Sequence, residues 1–242
     1  MLGPELETFR SDKMVVATAA AEVLAPALAV IAAFTVSGLR GTAEVIVLAC
    51  AVGPLLYVAW LYSRRVTLHI DGITYHTLFG EKQMRWDMIV RFDYEANKRS
   101  FPLQTQYRYN LHDAEGTNIQ TGKGIAHAAR LGEKLAKLTT PQLLRNALEQ
   151  YNRGEKIDFG PVIVSRAEGI RIKKRVGYRD VPWNQVAGFA IKDGRFRIQW
   201  LGQKDTTEWW DLRDVTNAFA LLALMETVAH PSQIATTPSI SH

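Results

Sequence analysis

The hydrophobic pattern changes character along the chain. Met14 to Leu39 is apolar apart from Glu22 and a few small hydroxyl residues, and Val45 to Tyr62 carries no charge. From Val66 the period falls to two, with Val66, Leu68 and Ile70 alternating with Thr67 and His69. About 20 apolar residues cross a bilayer as helix, whereas alternation marks a strand with one buried face. The chain therefore divides into an apolar helical part and a sheet-forming part.

The two apolar stretches predict a transmembrane helical hairpin over residues 14–63, joined by Arg40–Glu44. The first span is placed at Val23 to Leu39, with Glu22 at the interface, because a buried charge at the bilayer centre is costly. Tyr57, Trp60 and Tyr62 gather at the end of the second span, ahead of Arg64 and Arg65. Aromatic belts mark a membrane interface, and Lys/Arg bias marks the cytoplasmic side. Lys13 and the Arg64–Arg65 pair flank the outer ends of the hairpin, against Arg40 alone in its connector. The expectation is a cell-membrane protein with two spans and both termini cytoplasmic. A cleaved signal sequence has a short core and a basic start. Here residues 1–13 mix acids with bases, and a second apolar stretch follows at once.

After the hairpin, strands are predicted around Val66–Ile70, Ile73–Leu78, Gln83–Trp86, Ile89–Tyr94, Tyr107–His112 and Asn118–Gln120, with Asn97–Thr105 as a loop. Helical spacing follows from Ile125 to Leu138. Thr140–Pro141 is read as a break, with Thr as N-cap and Pro opening a second helix to Tyr151. A second series of strands runs from Val162 to Leu212, with turns at Asp193–Gly194 and Gly202. Asn217–Ala229 is predicted as a buried helix, stopped by His230–Pro231.

One stretch occurs twice. Gly72–Phe92 reads GITYHTLFGEKQMRWDMIVRF, and Gly169–Phe189 reads GIRIKKRVGYRDVPWNQVAGF. A constant shift of 97 residues sets Gly72 on Gly169, Gly80 on Gly177, Trp86 on Trp183 and Phe92 on Phe189. Such self-similarity is the signature of a duplicated unit. The predicted organisation is a polar N-terminal tail (1–13), the hairpin (14–63), a first sheet-plus-helix repeat (64–156), a second (157–231) and a disordered tail (232–242). The fold class is α+β, and Trp86 and Trp183 are predicted core anchors.

Net charge is +5. From Arg64 onward there are 26 Lys and Arg against 19 Asp and Glu, a surplus of seven. A basic globular part tethered to a membrane points to the anionic cytoplasmic leaflet. No nucleic-acid-binding motif is present. The single cysteine, Cys50, excludes a disulfide framework or a cysteine-based metal site.

Catalytic motifs are absent. Thr121-Gly-Lys-Gly124 precedes a helix, but a phosphate loop needs Ser or Thr after the lysine. The six histidines, including His69, His76, His112, His127, His230 and His242, show no helical metal-ligand spacing. Asp211 and Asp214 read as cap and surface residues. No catalytic residue, metal or cofactor is therefore predicted. The densest basic run is Arg171, Lys173, Lys174, Arg175 and Arg179, and under the 97-residue shift the first copy carries one cation at the matching places, Lys82. Trp209 and Trp210 are neighbours in a strand, so one of them should face outward. These seven residues form the candidate surface for lipid or a partner.

The D-G-I, R-W-x-x-I, F-G-P-V-x-V, E-G-I, V-P-W-x-x-V and D-G-R motifs, behind two apolar spans, resemble an uncharacterised family of membrane-anchored proteins. Over residues 64–230 the chain is also similar, more loosely, to bacterial pleckstrin-homology-like membrane proteins. That resemblance implies two pleckstrin-homology-like repeats, each a bent antiparallel sheet closed by a helix, and no activity. Three functional readings follow. The first is a cytoplasmic module that binds anionic lipid headgroups or a protein partner. The second is a structural subunit of a larger membrane complex, and the third is a membrane-associated enzyme with an unrecognised site.

Overall fold

In the computed structural model, residues 2–37, 42–99, 104–192, 194–201 and 207–229 are described. The turn residues Asp193 and Gly202, the His230–Pro231 stop and the tail 232–242 lie outside them. The chain is α+β and forms two compact units, 1–85 with 123–131, and 86–122 with 132–242.

The first unit holds an antiparallel sheet in the order β1 (Glu5–Arg10), β2 (Arg65–His69), β3 (Gly72–Thr77), β4 (Gly80–Arg85). Two helices, α1 (Lys13–Ser37) and α2 (Thr42–Ser63), follow β1 and lead into β2. The strands β1 and β2 are nonetheless direct neighbours, with Phe9 opposite Val66 and Arg10 opposite Arg65. Their connection is thus the helical pair itself. Phe9, Val66, Leu68, Ile73, Tyr75 and Met84 are buried. Between them, Thr67 and Thr74 are buried as well, with the Thr67 hydroxyl 3.0 Å from that of Thr8 and the Thr74 hydroxyl 3.1 Å from His69 Nε2. The stretch Lys13–Ala33 is long and apolar enough to cross a membrane, and almost none of it is buried.

Two expectations change here. A strand occupies residues read as a polar tail, because β1 is recognised by its partner β2 rather than by its own pattern: Phe9 is its one buried side chain. The apolar helix begins at Lys13, ten residues before the predicted span, because the Asp12 carboxylate accepts the Met14 N–H at 2.8 Å and the Val15 N–H at 3.4 Å. That is an N-cap, and it starts the helix where the hydroxyl-poor apolar pattern gave no signal.

The second unit contains three sheets. One is the meander β5 (Ile89–Arg99), β6 (Gln104–Asp113), β7 (Asn118–Thr121). The helix α3 (Ala128–Asn152) follows, and its part from Gly132 belongs to this unit. Next come β8 (Ile157–Asp158), β9 (Val162–Ser165), β10 (Gly169–Lys173) and β11 (Tyr178–Val181), hydrogen-bonded in that order. The last sheet is β12 (Val186–Lys192), β13 (Arg195–Trp200), β14 (Thr207–Asp211), and α4 (Ala218–Val228) closes the described chain. Ile170, Ile172, Val164, Val186, Phe196 and Ile198 pack with Leu221, Leu224 and Met225 of α4 in one core. Ala147 of α3 is part of that core, and Leu144, Leu148 and Tyr151 pack against it.

The order of four strands, a short 3-10 turn, three strands and a helix occurs twice. The 3-10 turns fall at Trp86–Met88 and Trp183–Gln185, in the 97-residue register without slippage. Trp86 is buried, while Trp183 is half-buried, with its indole N–H donating to the Ser165 carbonyl at 3.2 Å and its ring edge-on to Tyr151. The paired glycines have a steric cause. A Cβ on Gly72 would overlap the Met84 carbonyl oxygen, and one on Gly169 would overlap that of Val181, the residue equivalent to Met84.

Two further boundaries differ from expectation. The residues read as a loop at 97–105 belong partly to strands, since Asn97, Lys98 and Arg99 pair with Gln106, Thr105 and Gln104. A polar strand has no hydrophobic alternation to betray it. The helix α3 also runs through Thr140–Pro141 without a break. Pro141 leaves the Lys137 carbonyl without its donor, at a residue that is exposed.

Candidate functional site

The basic hairpin is formed by β10 and β11. Ile170 and Ile172 are buried, so Arg171 and Lys173 project from the other face. Arg171 faces Asp180 across the pair and donates to it from Nε at 2.6 Å and Nη2 at 3.2 Å. Glu168 lies 3.7 Å away, and the guanidinium also covers the Tyr178 ring. The hydrogen bond with Arg171 holds the Asp180 carboxyl below its ordinary range. Lys174 and Arg179 share one acceptor, Glu208, with the Arg179 contact at 3.3 Å. Arg179 lies over the Trp200 ring. Lys173 and Arg175 make no ion pair among the described residues. At the tip, Val176 is 89% exposed. The five cations thus fall into three that are tied down and two that are not.

Trp209 and Trp210 divide as strand geometry requires. Trp209 is 51% exposed, and the Arg195 guanidinium sits 3.8 Å from its ring centre. Trp210 turns inward and packs against the core near Phe196. Of the seven predicted residues, Trp210 is therefore structural, while Trp209 is on the surface under a cation.

A second basic site was missed by sequence reasoning, because its residues are far apart in the chain. In the first unit, an open cleft of about 730 Å³ lies where α1 begins and α2 ends. Arg10, Lys13, Arg64 and Arg65 line it, with Glu81 as the lining carboxylate. Ser11 donates from Oγ to the carbonyls of Leu61 and Arg64, which fastens the start of α1 to the end of α2. Arg64 is oriented by its Nε, which donates to the Tyr75 hydroxyl at 2.8 Å, and lies over the Trp60 ring. Glu81 lies 3.2 Å from His76 Nδ1. Burial, then the neighbouring Arg65 charge, holds the His76 imidazole below its ordinary range. The signal that could have found this site is the doublet Arg64–Arg65 read against Arg10 and Lys13.

Acid–base chemistry finds little here. A small cleft of about 100 Å³ in the second unit is lined by Glu95, Asp211 and Arg213. Its carboxylates are engaged, Glu95 with Arg108 at 3.3 Å and Asp211 with Arg213 at 3.5 Å. Among the described residues, no group of three or more His, Cys, Asp or Glu is placed to hold a metal ion.

No curated protein and no solved structure matches the chain. One family model does, over residues 1–233, which takes in β1, both apolar helices and the whole of the sheet-forming part. The chain belongs to the family of unknown function DUF6585.

Proposed function

We propose that the protein is a membrane-anchored binding module. In this reading α1 and α2 span the bilayer as a hairpin, and two pleckstrin-homology-like repeats stand on its cytoplasmic side, where they engage anionic lipid headgroups. The observation that carries it is the insertion of α1 and α2 between two strands paired in one sheet. If α1 crosses the membrane, α2 must cross back, because β1 and β2 lie side by side at its two ends. The same pairing speaks for retention of α1. Cleavage after an N-terminal signal would remove β1 and expose Phe9's partners in the sheet.

The exposed apolar side chains of the two helices, among them Leu28, Leu55 and Leu56, support a lipid environment. The Lys/Arg bias supports the cytoplasmic side. The twofold order of strands, Trp-bearing turn, strands and helix supports the pleckstrin-homology-like reading of each repeat. Two uncompensated cations, Lys173 and Arg175, remain available on the second repeat.

The test is topological. A reporter active only in the cytoplasm should be active at the C-terminus and inactive when inserted at Gly41, and the chain should resist extraction by alkaline carbonate. Activity at both positions, or release by carbonate, overturns the reading.

A further inference from the structure

The cleft at the base of α1 and α2 carries an unusual charge arrangement. Arg10 and Arg65 stand directly opposite each other in the β1–β2 ladder. Like charges in that relation are destabilising. Lys13 and Arg64 line the same cleft, and none of the four cations has an ion pair among the described residues. One carboxylate, Glu81, lines the cleft beside His76, and Asp12 caps α1. Arg64 is held in place by Tyr75 and Trp60 rather than left mobile. Four cations thus meet one lining carboxylate, which leaves the cleft a surplus of positive charge among the described residues.

The surroundings say what kind of anion fits. Tyr62 of α2 lines the cleft, and Met14 follows the lining Lys13 on α1, both largely exposed. The two-residue tip between β3 and β4 is Leu78–Phe79, and Phe79 is 83% exposed. Leu78 lines the cleft, and α2 and β3 are in contact. A soluble anion needs no apolar rim, whereas a lipid presents a phosphate with acyl chains directly beneath it. Cations beside aromatic and aliphatic side chains, at the end of apolar helices, match that order of layers.

We propose that this cleft binds the phosphate of an anionic phospholipid. Arg10 and Arg65 pair with its oxygens, since the guanidinium fork matches phosphate. Lys13 and Arg64 add charge, and the Leu78–Phe79 tip enters the acyl boundary. The proposal rests on α1 and α2 lying in the bilayer.

The test uses the full chain, reconstituted in nanodiscs of phosphatidylcholine with phosphatidylglycerol and then released into detergent for native mass spectrometry. The parent should retain phosphatidylglycerol. Arg10→Gln with Arg65→Gln should weaken retention about thirtyfold, at roughly fivefold per cation near an anionic surface. In lipid-free detergent this double variant should melt no lower than the parent, because it removes a like-charge pair. Phe79→Ser, which alters no charge and no buried residue, should also weaken retention, and it decides the matter if the double variant does not fold. Lys137→Gln with Lys192→Gln, two exposed cations outside both basic surfaces, should retain lipid like the parent. Equal retention by the parent, the Arg10/Arg65 variant and Phe79→Ser overturns the proposal. Displacement of the lipid by soluble glycerol phosphate would show a site for free phosphate and overturn it too. A parent chain that carbonate extracts from membranes removes the anchoring reading and this proposal with it. A chain that resists carbonate but retains no lipid removes the cleft assignment alone.

Discussion

Asn217 fastens the start of α4 to the backbone around Phe92. Its side-chain oxygen accepts the Phe92 N–H at 2.7 Å, and its amide donates to the Val90 carbonyl at 3.2 Å. Asn217 adopts a left-handed backbone, φ 52°, which Asn tolerates better than most residues. Two residues on, Phe219 stacks on Phe92 and meets Tyr94 edge-on. A helix from the second repeat is thereby seated on a strand from the first, within one unit.

Substitution at Asn217 should separate conformation from bonding. Asn217→Gly keeps the left-handed backbone and loses both side-chain bonds. We expect it to destabilise by about 1–3 kcal/mol, the effect of leaving a part-buried N–H unpaired. Asn217→Ala should cost more, since Ala also resists positive φ. Thermal or denaturant unfolding of purified protein measures both. Equal stability of Asn217→Gly and parent would mean that solvent replaces the Asn contacts.

The repeated glycines make a second comparison. Gly169 and Gly177 both have positive φ, 88° and 73°, but a Cβ at Gly177 meets nothing, whereas one at Gly169 meets Val181, Pro182 and Trp183 backbone atoms. Gly177→Ala should cost about 1–2 kcal/mol. Gly169→Ala should cost a further 1–3 kcal/mol from overpacking. A chemical denaturation series would reveal the difference, and identical losses would rule out crowding as the reason Gly169 is glycine.

The register of the repeat was legible because these contacts are local. Gly72 meets Met84 and Gly169 meets Val181 within one strand–turn–strand stretch that ends at Trp86 and Trp183, so the same spacing reappears in the text of the sequence. Structure made by distant partners was not legible. β1 has one buried residue, Phe9, and its ladder partner lies more than fifty residues on. The cleft joins Arg10 to Arg65 for the same reason. Within the basic run, sequence showed the five cations but not their acids, because Glu208 is thirty-four residues from Lys174. Pro141 misled by obeying a general rule, and α3 continues through it where the residue one turn back, Lys137, is exposed.

The aromatic cluster predicts alkaline sensitivity. Burial, reinforced by Tyr107, pushes the Tyr94 phenol up to about 12, and burial raises fully buried Tyr109 further. A raised phenol pKa means that the folded state holds its proton more tightly than the unfolded state, whose value is 10.0. The associated stability is complete below pH 10 and is lost as pH rises towards 12 and beyond. Unfolding midpoints should therefore be flat through neutral pH and fall above pH 10. Tyr94→Phe should lessen that fall. A variant with an unchanged alkaline slope would exclude Tyr94 as its source.

The helical pair can be replaced if β1 and β2 form an ordinary antiparallel hairpin beneath it. Their ladder ends at Arg10 opposite Arg65, the spacing that a two-residue Asn-Gly turn closes. A chain with Asn-Gly in place of residues 11–64 should be soluble and should unfold cooperatively. A chain that simply lacks residues 1–64 should aggregate, because β2 would become an unpaired edge over a buried face. Size-exclusion chromatography compares the two. Equal behaviour would show that β1 contributes little to the sheet.

That shortened chain also tests the basic hairpin. Arg171, Lys174 and Arg179 already have Asp180, Glu168 and Glu208 as partners, whereas Lys173 and Arg175 make no ion pair among the described residues. Near an anionic surface each free cation contributes about 1 kcal/mol, giving roughly 2 kcal/mol in all. Lys173→Gln with Arg175→Gln should therefore weaken salt-sensitive sedimentation with anionic vesicles about thirtyfold and leave melting unchanged, since neither side chain has an ion pair to lose among the described residues. Arg171→Gln should behave differently. It strands Asp180, so it should raise that carboxyl's pKa towards its ordinary value and shift melting slightly at low pH, with less effect on vesicles than Lys173 and Arg175 together. If Arg171→Gln weakens binding as much as the Lys173/Arg175 pair, the ion pair with Asp180 opens at the membrane and the division between tied and free cations does not describe the bound state.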